Sequence, residues 1–319
     1  MSNDAVFVEA AGRLHFGVLD LRGALGRWFG GVGTSAPAPT LLVSAARADT
    51  LEVTGPDADR ARDAARRVRA HFGIAGGARI HVHRALPSHV GFGSGTQLAL
   101  AVARAITELH AVAADAPTLA RVVGRARRSA IGTWTFTAGG LVVEGGRLQD
   151  RDEVSPLLVR MPFPPSWRCV VAVPAAQGIS GAAEAAAFAA LPPPPERDVE
   201  RVAHLVLMAL LPALAEGDLH TFGTALTEIQ TINGRWFAPA QGGTFAPGPS
   251  ATIVRRMADW GACGVGQSSW GPAVYGITSG EQAGARLAAH VREVVGDGGM
   301  VCEGAFRADG ARLWRGGLA

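Results

Sequence analysis

From Pro87 to Thr96 the sequence reads Pro-Ser-His-Val-Gly-Phe-Gly-Ser-Gly-Thr, with glycines at 91, 93 and 95 interleaved with Ser94 and Thr96. Glycine lets the backbone approach a ligand closely. A helix that starts here turns its unpaired N–H groups into the turn. Those groups and the two hydroxyls suit a phosphate, or a magnesium ion held beside one. The same glycines also serve an ordinary strand-to-helix connection.

A second glycine-rich cluster, Gly264 to Pro272, contains Gln267, Ser268, Ser269 and Gly271, neutral donors and acceptors suited to ribose hydroxyls, phosphate or an aromatic acid. Near the start, Arg13 and His15 alternate on one face of a strand, where they could meet an anion, and Asp20 follows on the same segment. Arg27, beside Trp28 in a glycine-flanked loop, offers a planar fork to phosphate or carboxylate. Of the run Arg125, Arg127, Arg128 and Ser129, the pair Arg128-Ser129 is the chosen anion clamp. Arginines closing a helix also complement its dipole. Glu184, after a glycine turn, opens a helix or acts on substrate. His81 and His83 share a strand face without a third ligand at zinc-site spacing.

These groups are carried by 319 residues, 48% hydrophobic and 18% charged, enough for two domains with sizeable cores. A formal net charge of +3 lacks the basic excess that tracks along nucleic acid. There is no lysine, which bars Schiff-base and P-loop lysine chemistry. The three cysteines lie far apart and fit a reducing compartment. Neither a signal peptide nor a bilayer-spanning run is legible, so a cytoplasmic chain away from membranes is expected.

Strands are expected at 6–10, 13–18, 40–45, 50–54, 79–83, 138–144, 168–173, 263–267, 273–278 and 300–306, with a glycine-rich loop over 23–33. Helices are expected at 57–72, 94–110, from 117, 196–215, 218–229, 249–260 and 281–295. This is an α+β pattern with a boundary near 156–165, giving domains 1–160 and 161–319.

The order of a first motif on the opening strands, Pro87 to Gly95, and a late glycine loop resembles the galactokinase, homoserine kinase, mevalonate kinase and phosphomevalonate kinase (GHMP) superfamily, with Phe92 where that motif carries leucine. Within it the wording is similar to the β-ribofuranosylaminobenzene 5′-phosphate synthase family. The stretches are Arg13 to Gly17, Gly26-Arg27 with Gly30 to Gly33, Gly124 to Gly132, Val173-Pro174 with Gly178 to Glu184, and Gly264 to Pro272. Gly-Gln-Ser-Ser-Trp-Gly-Pro is the most specific of them.

The resemblance implies a ribosomal-protein-like βαβ N-terminal domain and a ferredoxin-like α/β C-terminal domain. It also implies a transferase that joins phosphoribosyl pyrophosphate to 4-aminobenzoate, with 4-hydroxybenzoate left open, releasing carbon dioxide and pyrophosphate. Magnesium is implied, with Ser94 as its side-chain contact, and a homodimer is a general expectation. The alternative is an ATP-dependent small-molecule kinase. That chemistry needs a group beside the acceptor hydroxyl, and Ser129 to Gly140 holds no acid.

Overall fold

The computed structural model describes residues 4–176, 178–179 and 181–317. Ser180, within one of the resembling stretches, lies outside the described residues.

The first layer is an eight-stranded sheet in the order β12-β1-β2-β4-β3, with β5 and β6 also paired to β2, and β7 to β5. Its strands are β1 (Val6–Asp20), β2 (Arg27–Ala48), β3 (Leu51–Thr54), β4 (Gly77–Arg84), β5 (Leu141–Glu144), β6 (Arg147–Leu148), β7 (Leu157–Met161) and β12 (Arg312–Arg315). β3 and β4 are parallel and joined by α1 (Ala58–Phe72), a βαβ unit. With α1, the helices α2 (Ser94–Leu109), α3 (Ala116–Val122) and α4 (Ile131–Ala138) cover this sheet. Their buried faces, such as Val68, Leu100, Ile106 and Leu119, meet Val8, Val43 and Ile80 in one apolar core.

The second layer is the antiparallel sheet β11-β8-β10-β9, built from β8 (Trp167–Val173), β9 (Gly264–Gln267), β10 (Val274–Ser279) and β11 (Met300–Ala305). α9 (Pro249–Asp259) and α10 (Glu281–Val295) pack on one side, burying Ile253, Met257, Leu287 and Val291 against Val170 and Val274. The other side meets α6 (Glu196–Leu205), α7 (Leu211–Glu216) and α8 (Leu219–Gln241), with a π turn over Val206–Leu210. That core also takes Leu14 and Phe16 from β1, so it joins the two sheets. α5 (Gly181–Ala190) lies against α8, with no buried residue.

Three differences from the expected elements have local causes. The expected loop 23–33 is largely strand, because Gly31 and Gly33 pair with both β1 and β5. A Cβ on Gly33 would stand 2.6 Å from the Leu14 carbonyl, so glycine here permits close strand approach rather than a turn. α4 was unexpected because Ile-Gly-Thr-Trp-Thr-Phe-Thr is poor in helix formers; burial of Ile131, Thr133 and Phe136 supplies what propensity lacks. The helix expected to end at 229 continues to Gln241, through an Asn233-Gly234 pair that reads as a stop. The last strand, β12, returns to pair with β1, so residues 312–315 sit with the first sheet rather than with the 161–319 unit.

Candidate active site

The turn before α2 is set by backbone handedness. Gly91 and Gly93 have φ of +93° and +64°, left-handed values that favour glycine. A Cβ at Gly91 would lie 2.4 Å from the Ser268 carbonyl, so the C-terminal glycine loop lies directly on the turn. Gly93 is the N-cap of α2, and its carbonyl accepts the Thr96 and Gln97 N–H groups at 2.9 and 3.1 Å, so the helix opens at Ser94 and Gly95.

β1 approaches the same turn. Its pairing with β2 is bulged between Ala11 and Arg13 and again between His15 and Gly17, and bulges re-aim side chains. The Arg13 guanidinium donates to the Gly91 carbonyl and, at 3.3 Å, to Ser268 Oγ. The His15 backbone N–H donates to the same hydroxyl at 2.9 Å. Ser268 Oγ in turn donates to the Gly91 carbonyl at 2.7 Å. Burial lowers the Arg13 pKa to about 10, against the opposing effect of Glu184. Burial, then the charge of Arg13, brings His15 down to about 3, so its ring is neutral at working pH.

Behind these residues α8 is stitched to β1 and β9. Gln230 Nε2 donates to the Phe16 carbonyl at 2.8 Å while its Oε1 accepts the Gln267 N–H at 2.8 Å. Asn233 Oδ1 accepts the Val18 N–H at 2.6 Å, and its Nδ2 donates to the Val18 carbonyl at 3.1 Å. Both amides are buried and bonded at both ends, which fixes the frame of the site.

Between the turn, α8 and α5 lies a cavity of about 430 Å³. Five arginines (13, 60, 125, 127 and 128) and one carboxylate, Glu184, line it. The cationic excess concentrates at the start of α2. A Cβ on Gly95 would meet Arg60 Nη2 at 2.4 Å and Arg125 Nη2 at 3.2 Å, so two guanidinium groups crowd that helix end. Arg60 is braced by Ser88 Oγ at 3.0 Å and Asp57 at 3.3 Å. Burial and the like charges of Arg60 and Arg67 lower the Arg125 pKa. A positive helix end with crowded guanidinium groups is an arrangement completed by an anion. Phe29, Phe188, Phe237 and Trp270 line another part of the cavity.

Of the expected site residues, all but Asp20, Arg27 and Ser268 line this cavity. Asp20 lies five residues along β1 from His15, roughly 16 Å of strand, and its carboxylate accepts the N–H groups of Arg22 at 2.5 Å and Gly23 at 2.9 Å. It closes a turn. Arg27 is exposed and donates to the Gly146 carbonyl at 2.9 Å. Ser268 is wholly buried and acts as the crosspiece described above. Ser129 lines the cavity but donates to Glu144 Oε1 at 2.8 Å. Arg128 lines the cavity, bonds Glu184 at 3.3 Å and covers the Phe188 ring at 4.8 Å. His83 and His81 bond Ser44 and Thr54, each at 2.8 Å.

Arg60, Gln230, Asn233 and Phe237 line the cavity with no motif to mark them. Arg60 stands among the arginines spread along α1. Gln230, Asn233 and Phe237 lay beyond the expected end of α8. Glu144 is buried at the end of β5, where both carboxylate oxygens accept the Ala130 N–H at 2.9 Å. Burial raises its pKa to about 7, against the hydrogen bonds it accepts. It does not line the cavity. Among the described residues no three His, Cys, Asp or Glu side chains come together as a metal cage, and no helix is long and apolar enough to cross a membrane.

Residues 59–138 match the model for the GHMP kinases N terminal domain, and residues 210–297 that for the GHMP kinases C terminal domain. A protein of Methanothermobacter thermautotrophicus named beta-ribofuranosylphenol 5'-phosphate synthase is 35% identical, over 94% of this chain and 96% of its own. One of Archaeoglobus fulgidus with the same name is 34% identical over 91% and 92%. Among solved structures, homoserine kinase from Cytophaga hutchinsonii superposes with a TM-score of 0.72 at 17% identity, covering 98% of both chains. That likeness is one of fold.

Proposed function

Because this chain belongs to the GHMP kinase superfamily and, within it, to the family of proteins named beta-ribofuranosylphenol 5'-phosphate synthase, we propose that it is a decarboxylating phosphoribosyltransferase. Phosphoribosyl pyrophosphate and a 4-substituted benzoate would give a ribofuranosyl arene 5′-phosphate, carbon dioxide and pyrophosphate. The relatives' product name is a phenol, which makes 4-hydroxybenzoate the first acceptor to assay. The 4-aminobenzoate of the sequence reading is the second.

In this reaction the bond from ribose C1 to the pyrophosphate oxygen breaks, leaving an oxocarbenium-like carbon. The ring carbon bearing the carboxylate attacks it, assisted by the electron-donating para oxygen or nitrogen. The bond from that carbon to the carboxylate then breaks, its electrons restore the aromatic ring, and carbon dioxide departs. The leaving pyrophosphate needs cationic and N–H donors in place before bond cleavage. The first turn of α2, with Arg60 and Arg125, supplies them. Arg13 holds the Gly91 carbonyl of that turn and borders the same space. His15, neutral, would contact the sugar without carrying a proton to it. No general base is assigned, because the one carboxylate lining the cavity is paired with Arg128.

That donor set does not make a resident magnesium site. The ion fits as a companion of the diphosphate, whose oxygens would supply most ligands, with Ser94 as the side chain nearest to it in role. It would add charge neutralisation to the leaving group. Three free cysteines accord with a reducing cytoplasm, and a two-fold dimer is the simplest oligomer to test for.

The observation that carries the proposal is the coincidence, in one cavity, of a helix start crowded by Arg60 and Arg125 with an aromatic lining, in a chain matched nearly end to end by the named synthases. Incubation with phosphoribosyl pyrophosphate and 4-hydroxybenzoate, followed by mass spectrometry, should give a ribosylated phenol phosphate lacking the carboxylate. Phosphorylation of an alcohol by ATP, without that product, would replace this reading with the kinase.

A further inference from the structure

The aromatic residues of the cavity form one connected array. Phe188, on α5, is its hub. Its ring centroid lies 6.0 Å from Phe29, 5.7 Å from Phe237 and 5.3 Å from Trp270, each at an interplanar angle of 80° or more. Phe237 and Trp270 meet at 4.8 Å. Edge-to-face contacts of this kind are favourable and directional. They also bring together side chains from β2, α5, α8 and the loop after β9, so the array marks a place and not one element.

Two polar atoms on this array lack hydrogen-bond partners among the described residues. Arg128 Cζ stands 4.8 Å from the Phe188 centroid, a cation–π contact. Its Nη2 bonds Glu184 at 3.3 Å, but its Nη1 is buried with no hydrogen-bond partner among the described residues. Trp270 is 4% exposed, and its indole Nε1 is likewise buried and unpartnered. An unsatisfied buried donor costs about 1–3 kcal/mol. Both donors belong to residues that touch the Phe188 ring and line the cavity.

A flat ring with an anionic group at one end and a neutral oxygen at the other would give each donor a partner. We propose that Arg128, Phe188, Phe237 and Trp270 form the acceptor subsite, a binding place for a para-substituted benzoate. The carboxylate takes Arg128 Nη1, the ring lies against the aromatic side chains, and the para oxygen accepts from Trp270 Nε1. Glu184 keeps part of the Arg128 charge for itself. That sharing matters chemically, since a carboxylate held too tightly is stabilised against loss as carbon dioxide. The phosphate groups stay at Arg60 and Arg125. This assignment deepens the proposed function and rests on it for the identity of the acid.

Calorimetric titration of the full chain tests it, with 4-hydroxybenzoate as the probe, with and without saturating pyrophosphate. α5 has no buried residue, and Arg128 stands in the loop before α4 with its side chain 34% exposed, so Phe188→Ala and Arg128→Gln should fold normally. Each should weaken benzoate binding at least tenfold and leave pyrophosphate affinity within twofold. Phe188→Leu should recover part of the loss. The methyl ester, which lacks the charge, should bind wild type and Arg128→Gln alike. Absence of benzoate binding to both forms of wild type, or equal binding by the variants, overturns the subsite. Benzoate binding that depends on Phe188 and Arg128 without carbon dioxide release leaves the subsite standing and removes the proposed reaction. Carbon dioxide release with an unchanged acceptor KM in both variants does the reverse.

Discussion

The Ser268 hydroxyl donates to the Gly91 carbonyl at 2.7 Å across 177 residues of sequence. This bond fastens the C-terminal glycine loop to the turn that opens α2. The same oxygen accepts the buried His15 N–H, so three segments meet on one atom. Ser268→Ala therefore leaves a buried N–H and a carbonyl short of partners, at about 1–3 kcal/mol. Thermal denaturation should show a fall of several degrees, and KM for phosphoribosyl pyrophosphate should rise. An unchanged melting temperature would mean that the crosspiece is dispensable.

Gly91 and Gly95 should respond differently to alanine. At Gly91 the new Cβ meets backbone at 2.4 Å under a left-handed φ, so the turn itself must move and both stability and activity fall. At Gly95 it meets the tip of Arg60, which can swing away. Gly95→Ala should keep the melting temperature within about 2 °C, an effect under roughly 1 kcal/mol, and raise KM for the pyrophosphate substrate. Equal destabilisation by both substitutions would show that Arg60 is fixed.

Arg125 is held near Arg60 and Arg67, like charges that disfavour it in the free protein. Arg125→Ala should leave the unliganded melting temperature unchanged or slightly higher. It should also abolish most of the thermal stabilisation that saturating pyrophosphate gives wild type. Loss of stability in the free protein with pyrophosphate stabilisation intact would contradict the anion-site assignment.

Glu144 titrates at about 7 in the fold, raised from an ordinary 4.5 chiefly by burial. A group whose pKa rises on folding binds its proton more tightly in the native state. Its stabilising contribution is complete below about pH 4.5 and is lost as pH climbs through 7. Glu144→Gln should flatten the part of the stability profile that declines from pH 4.5 to 7, measured by denaturant unfolding. The wild-type decline persisting in the variant would assign it to another group.

His15 stays neutral because burial and Arg13 hold its pKa near 3. The pH profile of kcat above pH 5 should carry no limb that His15→Gln removes. A step near pH 6.5 that disappears in that variant would make the ring a proton carrier.

Much of the fold was legible because its signals are local. α10 fell where expected from the Gly280 and Gly296 boundaries and the apolar stripe through Leu287 and Val291. The turn from Pro87 to Thr96 was legible for the same reason, its glycines being adjacent in sequence. The rest of the site depends on long-range contact. Arg60 reads as an outer-face residue until α1 is seen beside the start of α2. Phe188 sits in an alanine-rich helix with little to mark it, and Trp270 gains meaning only beside Phe237. Asp20 shares the first motif with Arg13 and His15, and Arg27 stands beside Trp28 in a glycine-flanked stretch, but strand geometry carries both past the cavity. The expected helix 218–229 stops short of Asn233-Gly234, two residues that favour turns. In the fold Asn233 is spent on Val18, and a Cβ on Gly234 would meet the Thr244 carbonyl at 2.2 Å.

The most direct measurement is release of labelled carbon dioxide from carboxyl-labelled 4-hydroxybenzoate. Release that requires phosphoribosyl pyrophosphate, matches pyrophosphate formed one for one, and proceeds without ATP is the expected result. Retention of the label in the acid, with ADP formed from ATP in the presence of an alcohol substrate, would contradict the decarboxylating transfer and leave the chain a kinase.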